Sequence, residues 1–151
     1  MKDEEKAPAP ADPTAAIEAK RALRKAGVEA DRKAQYAIDL AALDEAEVQY
    51  GDDSVAALPV RGFVRGQPTM MIVRSPGGTP FYNRYKSMVR AAGKNVQAIG
   101  AAQEMLGGAC IVYPAEAAQE AFFAAFPGAT ISAGICAMKF VELSEEDEKK
   151  G

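Results

Sequence analysis

Cys110 and Cys136 are the side chains whose chemistry is easiest to state, since a thiolate serves as nucleophile, metal ligand or redox centre. Their spacing fits neither a two-pair zinc site nor a CxxC redox motif, so the expectation is two buried thiols in a reducing compartment. The chain has no histidine. That removes Ser-His-Asp and Cys-His arrangements, the HExxH motif, and any imidazole ligand or pH switch. Carboxylates, lysines and tyrosines remain able to catalyse, but no spacing among them proposes a reaction. The expected protein is therefore not an enzyme, and it carries no metal and no cofactor.

Two features point to binding instead. Ser75-Pro76-Gly77-Gly78-Thr79 precedes a helix start, where backbone N–H groups can cradle phosphate, but neither GxxxxGK[ST] nor GxGxxG accompanies it, and a tight turn is the plainer reading. The second feature is charge. From Ser54 to Gln103 the chain carries seven bases, Arg61, Arg65, Arg74, Arg84, Lys86, Arg90 and Lys94, and no Asp or Glu. Residues 1–53 hold thirteen acids against eight bases, and residues 104–151 hold eight against three, within a net charge of −3. A one-sign surface steers partners over roughly 8–10 Å at ordinary salt. With Phe63, Phe81, Tyr82 and Tyr85 interleaved, this segment suits either nucleic acid or an acidic protein surface. Overall acidity and the lack of a nucleic-acid-binding motif favour protein. The residues expected to meet a partner are Arg61, Arg65, Arg74, Arg84, Lys86, Arg90 and Phe123.

The elements that must position these residues are legible by period and punctuation. At 151 residues the chain suits one domain plus tails. Residues 1–13 alternate Ala with Pro and are expected to be a disordered tail, as are the acidic residues 142–151. Residues 14–53 read as an Ala-rich helical segment broken at Gly27, its second half carrying Tyr36, Leu40, Leu43, Glu47 and Tyr50 as one stripe. The first half is weakly amphipathic: a solvated helix is the plainer reading, and a helix stable only against a partner is the other.

Residues 54–141 read as the compact core. Val60–Arg65 and Thr69–Arg74 predict a hairpin about Gly66-Gln67-Pro68, with Arg61, Phe63 and Arg65 on one face and the prolines holding the strands to an edge or an end of a small sheet. A helix then starts at Thr79-Pro80, burying Phe81, Tyr85, Met88 and Val89 and leaving Arg84, Lys86 and Arg90 outside. Asn95 caps the next helix, which buries Ile99, Ala102 and Leu106 and is expected to end at Gly107-Gly108; residues 110–113 fit a helix continuation or a short strand. Pro114 opens a helix bearing Phe122, Phe123 and Phe126, in which the two adjacent rings cannot share one side. A last helix carries Ile131, Ile135 and Met138 as its apolar stripe. The fold class is α+β: a mostly helical single domain with a small central β-hairpin. No apolar run is long enough to span a membrane and no secretory leader opens the chain, so a cytoplasmic protein is expected.

The order of these features carries a resemblance. Glu47-Val48-Gln49-Tyr50-Gly51, Met71-Ile72-Val73-Arg74-Ser75-Pro76, Phe81-Tyr82-Asn83-Arg84-Tyr85, Leu106 through Cys110-Ile111-Val112-Tyr113-Pro114, and Phe126-Pro127-Gly128 together resemble small tail assembly chaperones of tailed bacteriophages, over about residues 47–141. The resemblance implies a non-catalytic protein in the host cytoplasm that binds tape-measure or tail-tube subunits during assembly. It also implies a gene read in two lengths by frameshifting, for which the codons of Lys149-Lys150-Gly151 are the place to look.

Overall fold

The computed structural model describes residues 12–142; of the expected tails, 1–13 and 142–151, residues 1–11 and 143–151 lie outside the described residues, while Asp12 and Pro13 belong to the start of the first helix rather than to a tail. One helix, α1, runs unbroken over Pro13–Tyr50, 38 residues or about 57 Å. Asp12 caps it, accepting from the Thr14 N–H at 3.0 Å, and Gly51 ends it at φ 98°. Gly27, expected as a break, sits inside α1 with ordinary contacts around it; alanines on both sides hold the helical conformation at the modest cost of one interior glycine.

A 3-10 turn, Asp52–Ser54, leads into β1 (Val55–Pro59), which pairs antiparallel with β2 (Met70–Arg74); β3 (Ile111–Tyr113) pairs antiparallel on the other side of β2. The sheet order is β1-β2-β3. The hairpin exists, but its first strand lies five residues earlier than Val60–Arg65 predicts. Gly62 and Gly66 take φ of 77° and 87°, outside strand geometry, so residues 60–69 form a loop closed by a bond from Val60 N–H to the Thr69 carbonyl at 3.0 Å. Arg61, Phe63 and Arg65 therefore do not share a strand face. Pro59 ends an edge strand, as its missing donor allows, but β2 is the central strand rather than an edge, with Pro68 outside it in the loop.

Four more helices follow: α2 (Pro80–Ala92), α3 (Val96–Cys110), α4 (Glu116–Ala125) and α5 (Ala129–Val141). Asn95 caps α3 as expected, accepting from the Ala98 N–H at 3.1 Å. Thr79 occupies the N-cap of α2, yet its hydroxyl donates back to the Pro76 carbonyl and closes the preceding turn. Pro114 stands two residues ahead of α4, whose first residue is Glu116. The undecided stretch resolves as α3 continuing to Cys110 and β3 beginning at Ile111.

The sheet lies between two apolar layers. On one face Val55, Met70 and Ile72 meet Ala46, Leu43 and Tyr50 from the C-terminal third of α1. On the other, Met71, Val73 and Ile111 meet Tyr85, Leu106, Phe122 and the small residues of α5. The face of α1 that packs is turned from the expected stripe: Asp39 and Ala46 are buried, whereas Tyr36 and Leu40 are exposed.

The largest departure concerns α3 against α5. Gly107-Gly108 does not end α3, because Gly107 is where α5 crosses it. A Cβ on Gly107 would overlap the Thr130 carbonyl oxygen and stand 2.6 Å from the Gly134 nitrogen, and one on Gly134 would overlap the Gln103 carbonyl. Backbone approach this close excludes bulky side chains. The buried side of α5 is accordingly Ala129, Ala133, Gly134 and Ala137, and the expected stripe of Ile131 and Ile135 faces outward, 46% and 49% exposed.

Candidate interaction surface

Asp39 is the group that sequence reasoning missed. It is fully buried and accepts four hydrogen bonds: from Thr69 N–H at 2.6 Å, Thr69 Oγ1 at 2.5 Å, Tyr113 Oη at 2.5 Å and Gln35 Nε2 at 2.8 Å. A buried carboxylate is tolerated only when its lone pairs are occupied in this way. One side chain thus ties α1 to the start of β2 and to β3. The available signal was an acid among Tyr36, Leu40 and Leu43; its partners, far along the chain, gave no signal at all. Burial, together with the bond to Asp39, holds the Tyr113 phenol well above its ordinary range.

Beside this scaffold runs an apolar groove between β1 and α5. One hollow, about 350 Å³, is lined by Val60, Arg61, Met71, Phe122 and Phe126; the next, about 410 Å³, by Ile135, Cys136 and Lys139; Leu58, Pro59 and Ser132 line both. Arg61 stands toward one end and Lys139 toward the other, and no acid lines either hollow. The strand bordering the groove is an edge. The bonds Ser75 N–H to Ser54 O and Val60 N–H to Thr69 O bracket the β1–β2 ladder, so alternation turns the N–H and C=O of Val55 and Ala57 away from β2. Among the described residues no backbone group pairs with that edge.

The seven residues expected to meet a partner are not gathered into one patch. Arg61 and Arg65 lie in the loop at the Pro59–Met70 end of the hairpin, and Arg74 lies at the other end, roughly 13 Å of strand away. Arg65 pairs with Asp31 of α1 at 2.6 Å, both exposed, a contact that contributes about 0–1 kcal/mol. The Arg74 guanidinium covers the Tyr50 ring at 4.6 Å. Arg84, Lys86 and Arg90 are exposed on α2, Lys86 and Arg90 one turn apart and Lys86 over the Tyr82 ring at 5.2 Å. Phe122 is buried, and Phe123 packs partly buried against it, edge to face. Of the seven, Arg61 alone lines the groove.

Both thiols are held in the protonated form. Burial pushes Cys110 from 9.0 up to about 11, against the opposing charge of Arg74, and burial raises Cys136 against Lys139. A nucleophilic cysteine needs the reverse shift. Cys110 in the folded protein is expected to resist alkylation below pH 9 and to react at once on denaturation, which thiol counting checks. Because the native pKa is the higher one, the native state keeps a proton that the unfolded chain loses. The associated stability is complete below pH 9 and is lost as pH rises toward 11. Urea unfolding across that range should show the decline, and Cys110→Ala should lessen it, leaving the part that Cys136 and Tyr113 contribute.

Comparison with protein-family models, with curated proteins and with solved structures gives no match. Among the described residues no single helix is long and apolar enough to cross a membrane, and no three His, Cys, Asp or Glu side chains gather where a metal could bind.

Proposed function

We propose that this chain is a non-catalytic assembly chaperone of a phage tail, which holds an extended apolar segment of a tape-measure or tail-tube subunit in the groove between β1 and α5. The observation that carries the reading is the groove itself, apolar along its floor and bordered by an unpaired strand edge. An added strand would satisfy the outward groups of Val55 and Ala57 while its alternate side chains enter the hollows, the usual mode of peptide capture at a sheet edge. Arg61 and Lys139 would draw a segment with acidic flanks and set its on-rate more than its final affinity. The other exposed bases, Arg84, Lys86 and Arg90, would steer from outside the groove. The ordered resemblance to tail assembly chaperones supplies the partner class.

The reading is tested with the tape-measure and tail-tube proteins encoded in the same genome. Ile135→Asp places a charge in the groove at a half-exposed position, so folding should survive while affinity falls at least about tenfold, the equivalent of ~1.4 kcal/mol. Arg61→Glu with Lys139→Glu should slow association and flatten its salt dependence. Unchanged binding by a folded Ile135→Asp protein would remove the groove from the account.

A further inference from the structure

The side of α1 turned away from the sheet has no partner among the described residues. At 3.6 residues per turn, Ala15, Ala19, Ala22, Ala26, Ala30 and Ala37 fall on this side, all exposed. Leu23, Leu40 and Val48 fall there too, exposed at 75%, 42% and 83%. Two charges, Lys33 and Asp44, interrupt the strip. Apolar surface extending along a helix of about 57 Å, with alanines that permit close backbone approach, is suited to another helix rather than to water.

Charge identifies that helix. Residues 13–34 carry six bases, Lys20, Arg21, Arg24, Lys25, Arg32 and Lys33, against Glu18, Glu29 and Asp31; residues 35–50 carry Asp39, Asp44, Glu45 and Glu47 and no base. This is the reverse of what a lone helix favours, since the macrodipole prefers acids at the N-terminus and bases at the C-terminus, and α1 has no acid in its first turn and no base in its last. A second, antiparallel copy of the same helix corrects both ends at once, because each basic half then lies beside an acidic half.

We infer that two copies of this chain pair antiparallel along the exposed face of α1. The register that sets Leu23 against Leu40 also sets Ala26 against Ala37 and Ala15 against Val48, with a two-fold axis between Asp31 and Arg32. It brings Lys20 of each copy to the segment holding Asp44 and Glu45, and Lys33 to the segment holding Glu29; Glu18 near Glu47 is the opposing like-charge pair. The two cores then sit at opposite ends and outer sides of the helix pair, each leaving its groove open. The pairing does not depend on what the groove binds.

Analytical ultracentrifugation of the full chain at about 1–100 µM, the range of a weak to moderate dimer, tests this directly. The wild type should sediment as a dimer whose affinity falls with salt. Lys20→Glu in one variant, and Asp44→Lys with Glu45→Lys in another, should each give monomers of unchanged thermal stability in the core, since all three side chains are exposed. An equimolar mixture of the two variants should recover the dimer. A monomeric wild type at about 100 µM overturns the inference, as does undiminished dimerisation of either variant alone, or a mixture that stays monomeric.

Discussion

Gly107→Ala is expected to lower the stability of the fold by about 3 kcal/mol or more, a large fraction of the total for a domain of this size. The added methyl has nowhere to go. It would overlap the Thr130 carbonyl and press on the Gly134 nitrogen, and both are backbone atoms of α5 that cannot rotate aside as a side chain can. Relief requires α3 and α5 to separate, which opens the layer formed by Ala102, Leu106, Ala133 and Ala137, all fully buried. At roughly 3–5 °C per kcal/mol, the melting temperature should fall by about 10–15 °C. Gly134→Ala should behave alike, for its Cβ meets the Gln103 carbonyl. Gly108 is the internal control. It is interior to the same helix with open space around its Cβ, so Gly108→Ala should raise stability by about 0.5–1 kcal/mol through helix propensity and loss of unfolded-state freedom. Thermal or urea denaturation followed by circular dichroism decides the matter; equal effects at 107 and 108 would show that the α3–α5 approach is looser than described.

Asp39→Ala is expected to cost about 3–5 kcal/mol, because it leaves the Thr69 N–H and hydroxyl and the Tyr113 hydroxyl without their acceptor inside the fold. The graded substitutions are informative. Asp39→Asn keeps the shape and leaves one oxygen to accept from the Thr69 N–H and hydroxyl, but its NH2 then faces the Tyr113 hydroxyl and the Gln35 amide, which must both turn to accept, so a cost of roughly 2 kcal/mol is expected. Tyr113→Phe removes one donor and should cost about 1–1.5 kcal/mol. Thr69 stands at the mouth of the loop just before β2 and Tyr113 on β3, so the loss of Asp39 should also weaken the seating of α1 on the sheet. Hydrogen exchange over residues 39–50 should then rise ahead of global unfolding. A variant series in which Asp39→Ala costs no more than Tyr113→Phe would show that Asp39 does not tie these elements together.

Punctuation and period carried much of this architecture. Asn95 before α3, Pro80 opening α2, Gly51 after α1 and Pro127-Gly128 between α4 and α5 mark their boundaries by local chemistry, and the Phe81, Tyr85, Met88, Val89 face of α2 packs as its spacing indicates. The misreadings share a cause. A stripe of bulky residues marks the buried side only where the neighbouring element leaves room for it, and α5 approaches α3 too closely for isoleucine. Gly107 reads equally as a helix stop or as a crossing point, and only the presence of α5 decides. Val60 to Arg65 alternates like a strand, but Gly62 and Gly66 adopt positive φ that no alternation reveals. Asp39 was invisible for a different reason. Its worth lies in Thr69 and Tyr113, 30 and 74 residues away, and no local pattern encodes such a meeting.

The candidate site was less legible than the fold. The basic segment was evident as a charge block, but the strand and loop geometry divides its members between the two ends of the hairpin and α2, so the block is not a single footprint. The groove depends on β1 being an edge and on α5 presenting Ser132, Ile135 and Lys139 toward it, neither of which periodicity foretold.

The most direct measurement is co-expression of the chain with any tape-measure and tail-tube proteins that its genome encodes, followed by affinity capture across a salt series. The account predicts that one of them is retained in a defined complex, that retention weakens as salt rises, and that the Ile135→Asp protein, folded, releases it. Retention of neither subunit at any salt, or a genome that encodes neither, would contradict the assignment as a tail assembly chaperone.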